Sequence, residues 1–264
     1  MQTVTSHDGT AIAYERFSDG GPALLKIGGA FCDRSFAAPL TEALADRFSV
    51  YSYDRRGRGD SGTGDTAWSI TRELEDLGTV LAAIESSGGG PVSIYGHSSG
   101  AALGLEAAAA QAPIERLAVY EPPYTGGPGS SLARAAELQA LVDAGDLDGA
   151  ATLFLLSTGM PEQQVAGMRQ SDDWPDMAAR ATTLPYEVGL CNDGVVPAQR
   201  LSAISCPVLA VGGGAGPAWA APGAAAIAAA VVDGRAELLA GQDHNVSAEA
   251  LAPLLAEFFA GSRT

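Results

Sequence analysis

Positive charge is the scarcest chemistry in this chain. Its 264 residues carry 15 Lys and Arg against 31 Asp and Glu, a net charge of −16, and the one lysine is Lys26. Nucleic acid and anionic membranes are both bound through a clustered basic face. Neither is therefore expected as a partner, and the acidity reads as a solubility property. Cysteine is nearly absent: Cys32, Cys191 and Cys206 are odd in number and widely spaced. That spacing fits neither a disulfide framework nor a metal-ligand pattern, and it suggests reduced thiols in a cytoplasmic setting. No cofactor or metal is expected. There is no long uninterrupted apolar run. The richest stretch, 218–232, is broken by Pro222 and Gly223 and reads as a buried helix rather than a membrane span. Met1-Gln2-Thr3-Val4-Thr5 has neither a basic segment nor an apolar core, so no signal peptide is expected. Histidine is rare too, at three residues, which narrows the search for a general base.

What is present centres on Ser93-Ile94-Tyr95-Gly96-His97-Ser98-Ser99-Gly100. Pro91 to Tyr95 is short, apolar and partly β-branched, the pattern of a buried strand. The alanine-rich stretch 101–110 reads as a helix. Between them lies G-x-S-x-G. In the order strand, pattern, helix, the middle serine sits on a tight strained turn with its hydroxyl raised above the sheet. Gly96 and Gly100 are needed because strand and helix come too close for a Cβ. The helix aims its positive end at the oxygen of a reacting carbonyl. Alone, the pattern also fits an ordinary serine in a helix-entry turn.

The rest of the chain alternates. Strands are expected over 2–6 and 10–17 around a turn at His7-Asp8-Gly9, then over 23–27, 48–53, 91–95, 116–120, 207–211 and 235–239. Helices are expected over 35–45, 71–86, 223–232 and 248–259, the second with Leu74, Leu77, Val80, Leu81 and Ile84 on one face. Strands alternating with helices argue an α/β protein with a doubly wound, mostly parallel sheet. Between 124 and 194 only helical patterns occur, at 131–144, 146–156, 161–170 and 174–182. Residues 1–123 and 195–264 are thus expected to form the core, and 124–194 a helical lid inserted after the strand that ends at Tyr120.

Four segments, in this order, resemble the α/β-hydrolase fold superfamily, nearest to lid-bearing bacterial serine hydrolases of the esterase and lactonase kind. They are Gly28-Gly29-Ala30-Phe31, Tyr53-Asp54-Arg55-Arg56-Gly57-Arg58-Gly59-Asp60-Ser61, Gly96-His97-Ser98-Ser99-Gly100 and Gly241-Gln242-Asp243-His244. The resemblance implies a nucleophile, a late histidine base, an acid between them in sequence, and an oxyanion hole. Ser98 falls at the nucleophile. Serine there suits acyl transfer, unlike the aspartate of haloalkane dehalogenases and epoxide hydrolases. His244 falls at the base, because it alone follows the last strand; its other reading is a surface histidine. His7 lies in a hairpin turn, and His97 is the variable position of the elbow. The oxyanion donors would be the backbone N–H groups of Ser99 and Ala30, with Phe31 next.

The acid departs from the family. An aspartate usually follows the strand at 207–211, where this chain reads Gly212-Gly213-Gly214-Ala215-Gly216-Pro217. The preceding strand ends at Glu121, whose longer side chain could reach the same imidazole nitrogen. Glu121 is favoured over a merely structural carboxylate there, over Asp243, and over Asp193. Arg55, Arg56 and Arg58 read as an anion clamp or, preferably, as part of a structural turn in which Asp54 and Arg55 are tied into backbone hydrogen bonds. Phe31, Cys32, Tyr124, Trp174 and Trp219 are the expected lining of a mainly apolar substrate pocket, although for any single one of them lid core packing is the preferred reading.

The expected function is a serine hydrolase of an ester, thioester or lactone with an apolar body, acting through an acyl-enzyme on Ser98, with His244 and Glu121 completing the triad. The alternative is a non-hydrolytic enzyme on the same scaffold (a cyclase, isomerase or lyase) or a ligand-binding relic, suggested by the missing aspartate. The partner expected is a small-molecule substrate, and homodimer formation is left open.

Overall fold

The structure is a computed structural model and describes residues 1–65, 67–125 and 131–261. Eight strands form one sheet: β1 (Gln2–Thr5), β2 (Ala11–Arg16), β3 (Ala23–Ile27), β4 (Ser49–Tyr53), β5 (Val92–His97), β6 (Ile114–Tyr120), β7 (Val208–Gly213) and β8 (Gly234–Leu239). Their spatial order is β1-β2-β4-β3-β5-β6-β7-β8. The β1/β2 and β2/β4 pairs are antiparallel, and every other pair is parallel. This is the doubly wound α/β arrangement expected.

Alternation along the central strands sorts their side chains onto two faces. On one face Leu25, Ile27, Ile94, Leu117, Val119, Val208 and Ala210 meet the helices Ile70–Ile84, Ser99–Ala109 and Ala220–Ala230. On the other, Leu24, Tyr95, Ala118, Tyr120, Leu209 and Val211 meet Ala38–Leu44 and Ala248–Ala260. Both faces are covered, which is why these strands read as continuous apolar runs. The helix Ala220–Ala230 buries only Ala220, Gly223, Ala224 and Ile227. It is a surface helix packed on one side, not the fully buried one that its composition suggests, because alanine carries too little apolar surface to demand burial.

After β6 the chain leaves the sheet, and residues 126–130 of the expected lid lie outside the described residues. Helices then occupy Ser131–Asp143, Leu147–Ser157, Glu162–Met168, Trp174–Ala179 and Leu184–Gly189. They share a separate cluster built on Leu138, Ala150, Leu155, Val165, Trp174 and Leu184, against which Ala30 and Phe31 of the core also pack. Leu190, by contrast, joins the main core. Among the described residues no helix is long and apolar enough to cross a membrane.

Candidate active site

The parallel register places the ends of β5, β6 and β7 side by side. His97 pairs with Tyr120, and Tyr120 with Val211. Ser98 therefore leaves the sheet next to Glu121, and the Ser98 N–H donates to the Tyr120 carbonyl at 2.9 Å. Ser98 has φ 55 and ψ −126, immediately before the helix Ser99–Ala109. A non-glycine residue there stores about 1–3 kcal/mol of strain. The flanking glycines are obligatory. A Cβ on Gly96 would lie 2.6 Å from Ala101 Cα, and one on Gly100 would lie 2.4 Å from the Ile27 carbonyl oxygen.

Glu121 is fully buried and has φ 44, another strained left-handed residue. Its Oε1 accepts the Gly213 N–H at 2.8 Å, and its Oε2 accepts Nδ1–H of His244 at 2.7 Å. The loop after β7 explains this geometry. A Cβ on Gly216 would sit 2.7 Å from Glu121 Oε1, so the Glu121 carboxylate fills the space left by an absent side chain of that loop. With Nδ1–H bound to Glu121, the other ring nitrogen of His244 is left as an acceptor. Among the described residues no hydrogen bond joins the Ser98 hydroxyl to that ring.

Two strand-end side chains hold the His244 loop. Tyr120 Oη donates to the Asp243 carbonyl at 2.5 Å, and His97 Nε2–H donates to the His244 carbonyl at 2.9 Å. The His97 ring stacks on Tyr120 with centroids 5.7 Å apart. Burial, then the nearby His244, push the His97 pKa down to about 4, so it serves as a neutral donor. The Asp243 carboxylate turns away to accept the Asn245 N–H at 2.8 Å, and Asp193 sits in the short turn Asn192–Gly194.

The loop 28–31 passes over the serine: a Cβ on Gly29 would lie 2.7 Å from Ser98 Cβ. Among the described residues no hydrogen bond takes up the N–H of Ala30 or of Ser99. Phe31 has φ 60 and meets Phe154 edge-on, with centroids 5.6 Å apart. Cys32 packs beneath Gly28, and burial pushes its thiol pKa up. Trp219 is half-buried just after β7. The other two residues expected at the pocket are the more deeply buried ones. Trp174 is buried within the helical cluster and donates its indole N–H to Asp148 at 2.6 Å, while Tyr124 is buried in the main core. Among the described residues no group of three or more His, Cys, Asp or Glu side chains could hold a metal.

A buried ionic cluster beneath the loop is the feature that sequence reasoning missed. Arg55 binds Glu73 through two bonds of 2.7 and 3.0 Å, and Arg56 binds Asp76 likewise at 2.7 and 2.8 Å. These two arginines are structural, as preferred from the sequence, although their partners are mostly carboxylates. Burial tends to raise the Glu73 pKa, but Arg55 outweighs it and holds the carboxyl below its usual range. Glu187, on the helix Leu184–Gly189, accepts from Arg55 at 3.1 Å and also from Arg58 and the Ser99 hydroxyl. Arg58 donates to the Gly29 carbonyl at 2.9 Å. Burial, then Arg55, bring the Arg58 pKa down to about 9. A cavity of about 290 Å³ opens beside this cluster, lined in part by Cys32, Arg58 and Arg180.

Against known proteins, a model of the Alpha/beta hydrolase family matches residues 24–256. The structure superposes on an alpha/beta hydrolase from Sphaerobacter thermophilus with TM-score 0.87 and 43% identity, covering 98% of this chain and 100% of that one. N-formylmaleamate deformylase of Pseudomonas putida is 32% identical over 123 residues, 46% of this chain. That match spans 45% of the deformylase's own length, less than half of it. An enol-lactonase from Burkholderia xenovorans shares the fold at TM-score 0.71 and 19% identity, covering 98% of this chain and 100% of that one.

Proposed function

We propose that this chain, which belongs to the alpha/beta hydrolase family, is a serine hydrolase working through an acyl-enzyme on Ser98. The observation that carries the reading is the 2.7 Å bond from His244 Nδ1 to the buried Glu121 carboxylate, beside a serine held at φ 55 on the neighbouring strand end. His244 Nε2 takes the Ser98 proton as Oγ attacks the substrate carbonyl carbon. The oxyanion develops between the Ala30 and Ser99 N–H groups at the start of the helix. Glu121 holds the imidazole in the required tautomer and stabilises the imidazolium. His244 then protonates the leaving group, and water repeats the sequence to release the acid.

The substrate class is an ester, thioester or lactone. The Phe31–Phe154 contact, beginning one residue after Ala30, supports an apolar body. The name of the deformylase relative adds small acyl groups on nitrogen to the compounds worth screening. The non-hydrolytic reading rests on the missing aspartate, and the Glu121–His244 bond supports the hydrolytic reading against it. Ser98→Ala should abolish turnover of p-nitrophenyl esters and labelling by a fluorophosphonate while leaving the circular dichroism spectrum unchanged. Undiminished ester turnover in that variant would overturn the assignment.

A further inference from the structure

An N–H and a carbonyl of one peptide unit are coupled: a hydrogen bond to the carbonyl fixes the plane of the unit and polarises its N–H. The N–H of Ala30 belongs to the same peptide as the carbonyl of Gly29. That carbonyl accepts Arg58 Nη1–H at 2.9 Å as well as the Cys32 N–H at 3.3 Å. A charged donor makes the stronger of these bonds. Arg58 is 7% exposed, and its Nε–H has no partner, so the guanidinium is held there at some cost. Glu187 holds it. The same carboxylate accepts the hydroxyl of Ser99, whose N–H is the other donor of the proposed oxyanion hole. Glu187 stands on the helix Leu184–Gly189, docked on the core by the stack of Tyr186 on Trp68 at 4.9 Å.

The geometry points to Arg58 and Glu187 as positioning residues of the oxyanion hole: Glu187, carried by the inserted helices, anchors the Ser99 side directly and the Gly29–Ala30 peptide through Arg58. Seating of the insert and assembly of the hole are then one event. This rests on the acyl-enzyme reading, and the test separates the two. In the first arm, wild type and Ser98→Ala are treated with a fluorophosphonate. Failure of wild type to label overturns the acyl-enzyme reading itself. In the second arm, Arg58→Met, Arg58→Lys and Glu187→Gln are compared for kcat, KM and the inhibition constant of phenylboronic acid, which forms a tetrahedral anion on the serine.

Loss of a whole oxyanion donor lowers kcat by about 10²–10³, so misalignment of one should lower it about 10- to 100-fold in Arg58→Met with KM nearly unchanged. Phenylboronic acid should weaken by a comparable factor. Arg58→Lys keeps a charged donor and should recover part of both. Glu187→Gln should shift both in the same direction, and combined with Arg58→Met the loss should be less than the product of the two single losses, because the Arg58 part is shared while the Ser99 anchor is lost only with Glu187. A purely structural role would lower thermal stability without moving the boronate constant. An unchanged boronate constant in Arg58→Met or in Glu187→Gln, in a variant that retains the wild-type circular dichroism spectrum, overturns the proposal.

Discussion

Replacing Glu121 by Gln exchanges one acceptor oxygen for an NH2 group, and the surroundings determine what that does. The carboxylate is fully buried and meets two donors, the Gly213 N–H at 2.8 Å and the His244 Nδ1–H at 2.7 Å. An amide can satisfy only one of them. If its oxygen faces His244, its NH2 faces the buried Gly213 N–H, and two unpaired donors cost about 1–3 kcal/mol each. If its oxygen faces Gly213, the NH2 turns to His244, and the ring, whose side chain is 39% exposed, can adjust by changing tautomer. The second arrangement wins because it leaves no buried donor unmet. It also places the imidazole proton on Nε2, where it blocks acceptance from Ser98. The corresponding change in a serine protease lowers kcat by about 10⁴. We therefore expect a loss of about 10³–10⁴ in kcat, equivalent to about 4–5 kcal/mol of barrier. The assay is steady-state ester hydrolysis with the fold checked by circular dichroism. A folded Glu121→Gln enzyme within about threefold of wild-type kcat would refute the reasoning, since that is far below the loss expected from a wrong tautomer. The structure also identifies the rescue. A Cβ on Gly216 points at Glu121 Oε1, whereas one on Gly212 would meet the Ala220 backbone at 3.1 Å. Gly216→Asp should restore part of the activity of Glu121→Ala, and Gly212→Asp should not.

Two further expectations concern stability. The His97 pKa falls from 6.5 in the unfolded chain to about 4 in the fold. Its contribution is therefore complete above pH 6.5 and is lost as pH falls towards 4, where the unfolded chain takes up a proton that the native one refuses, up to about 3 kcal/mol in all. In urea titrations the stability advantage of wild type over His97→Phe should shrink by about that amount between pH 7 and pH 4, and a gap independent of pH would contradict the burial of a neutral ring. Arg56→Met removes the partner of buried Asp76 and should cost about 3–5 kcal/mol of stability. Because Arg56 makes no bond to the loop 28–31, the folded fraction should keep near wild-type kcat, and a selective fall in kcat would refute that separation.

The sequence by itself determined the elements whose physics is local. The elbow at Ser98 follows from a strand, a helix and two glycines whose missing Cβ atoms face residues 96–101 and the end of β3, so a five-residue pattern carries it. The alternation of strands and helices, and the position of His244 after the last strand, are likewise readable along the chain. Tertiary structure decided everything that depends on which distant segments meet. Glu121 could be favoured from its place at a strand end, but only the register of β6 against β7 and the backbone turn at φ 44 put its Oε2 against His244. Residue type announced that Tyr124 and Trp174 would be buried, not that one would join the main core and the other the helical cluster, because apolar burial is non-directional. Glu187 was the least legible of all. A glutamate on a short helix reads as a solvated face, and its partners Arg55, Arg58 and Ser99 lie 132, 129 and 88 residues away. Burying such a charge is tolerable only where opposite charges already wait, and no local pattern records who those partners are.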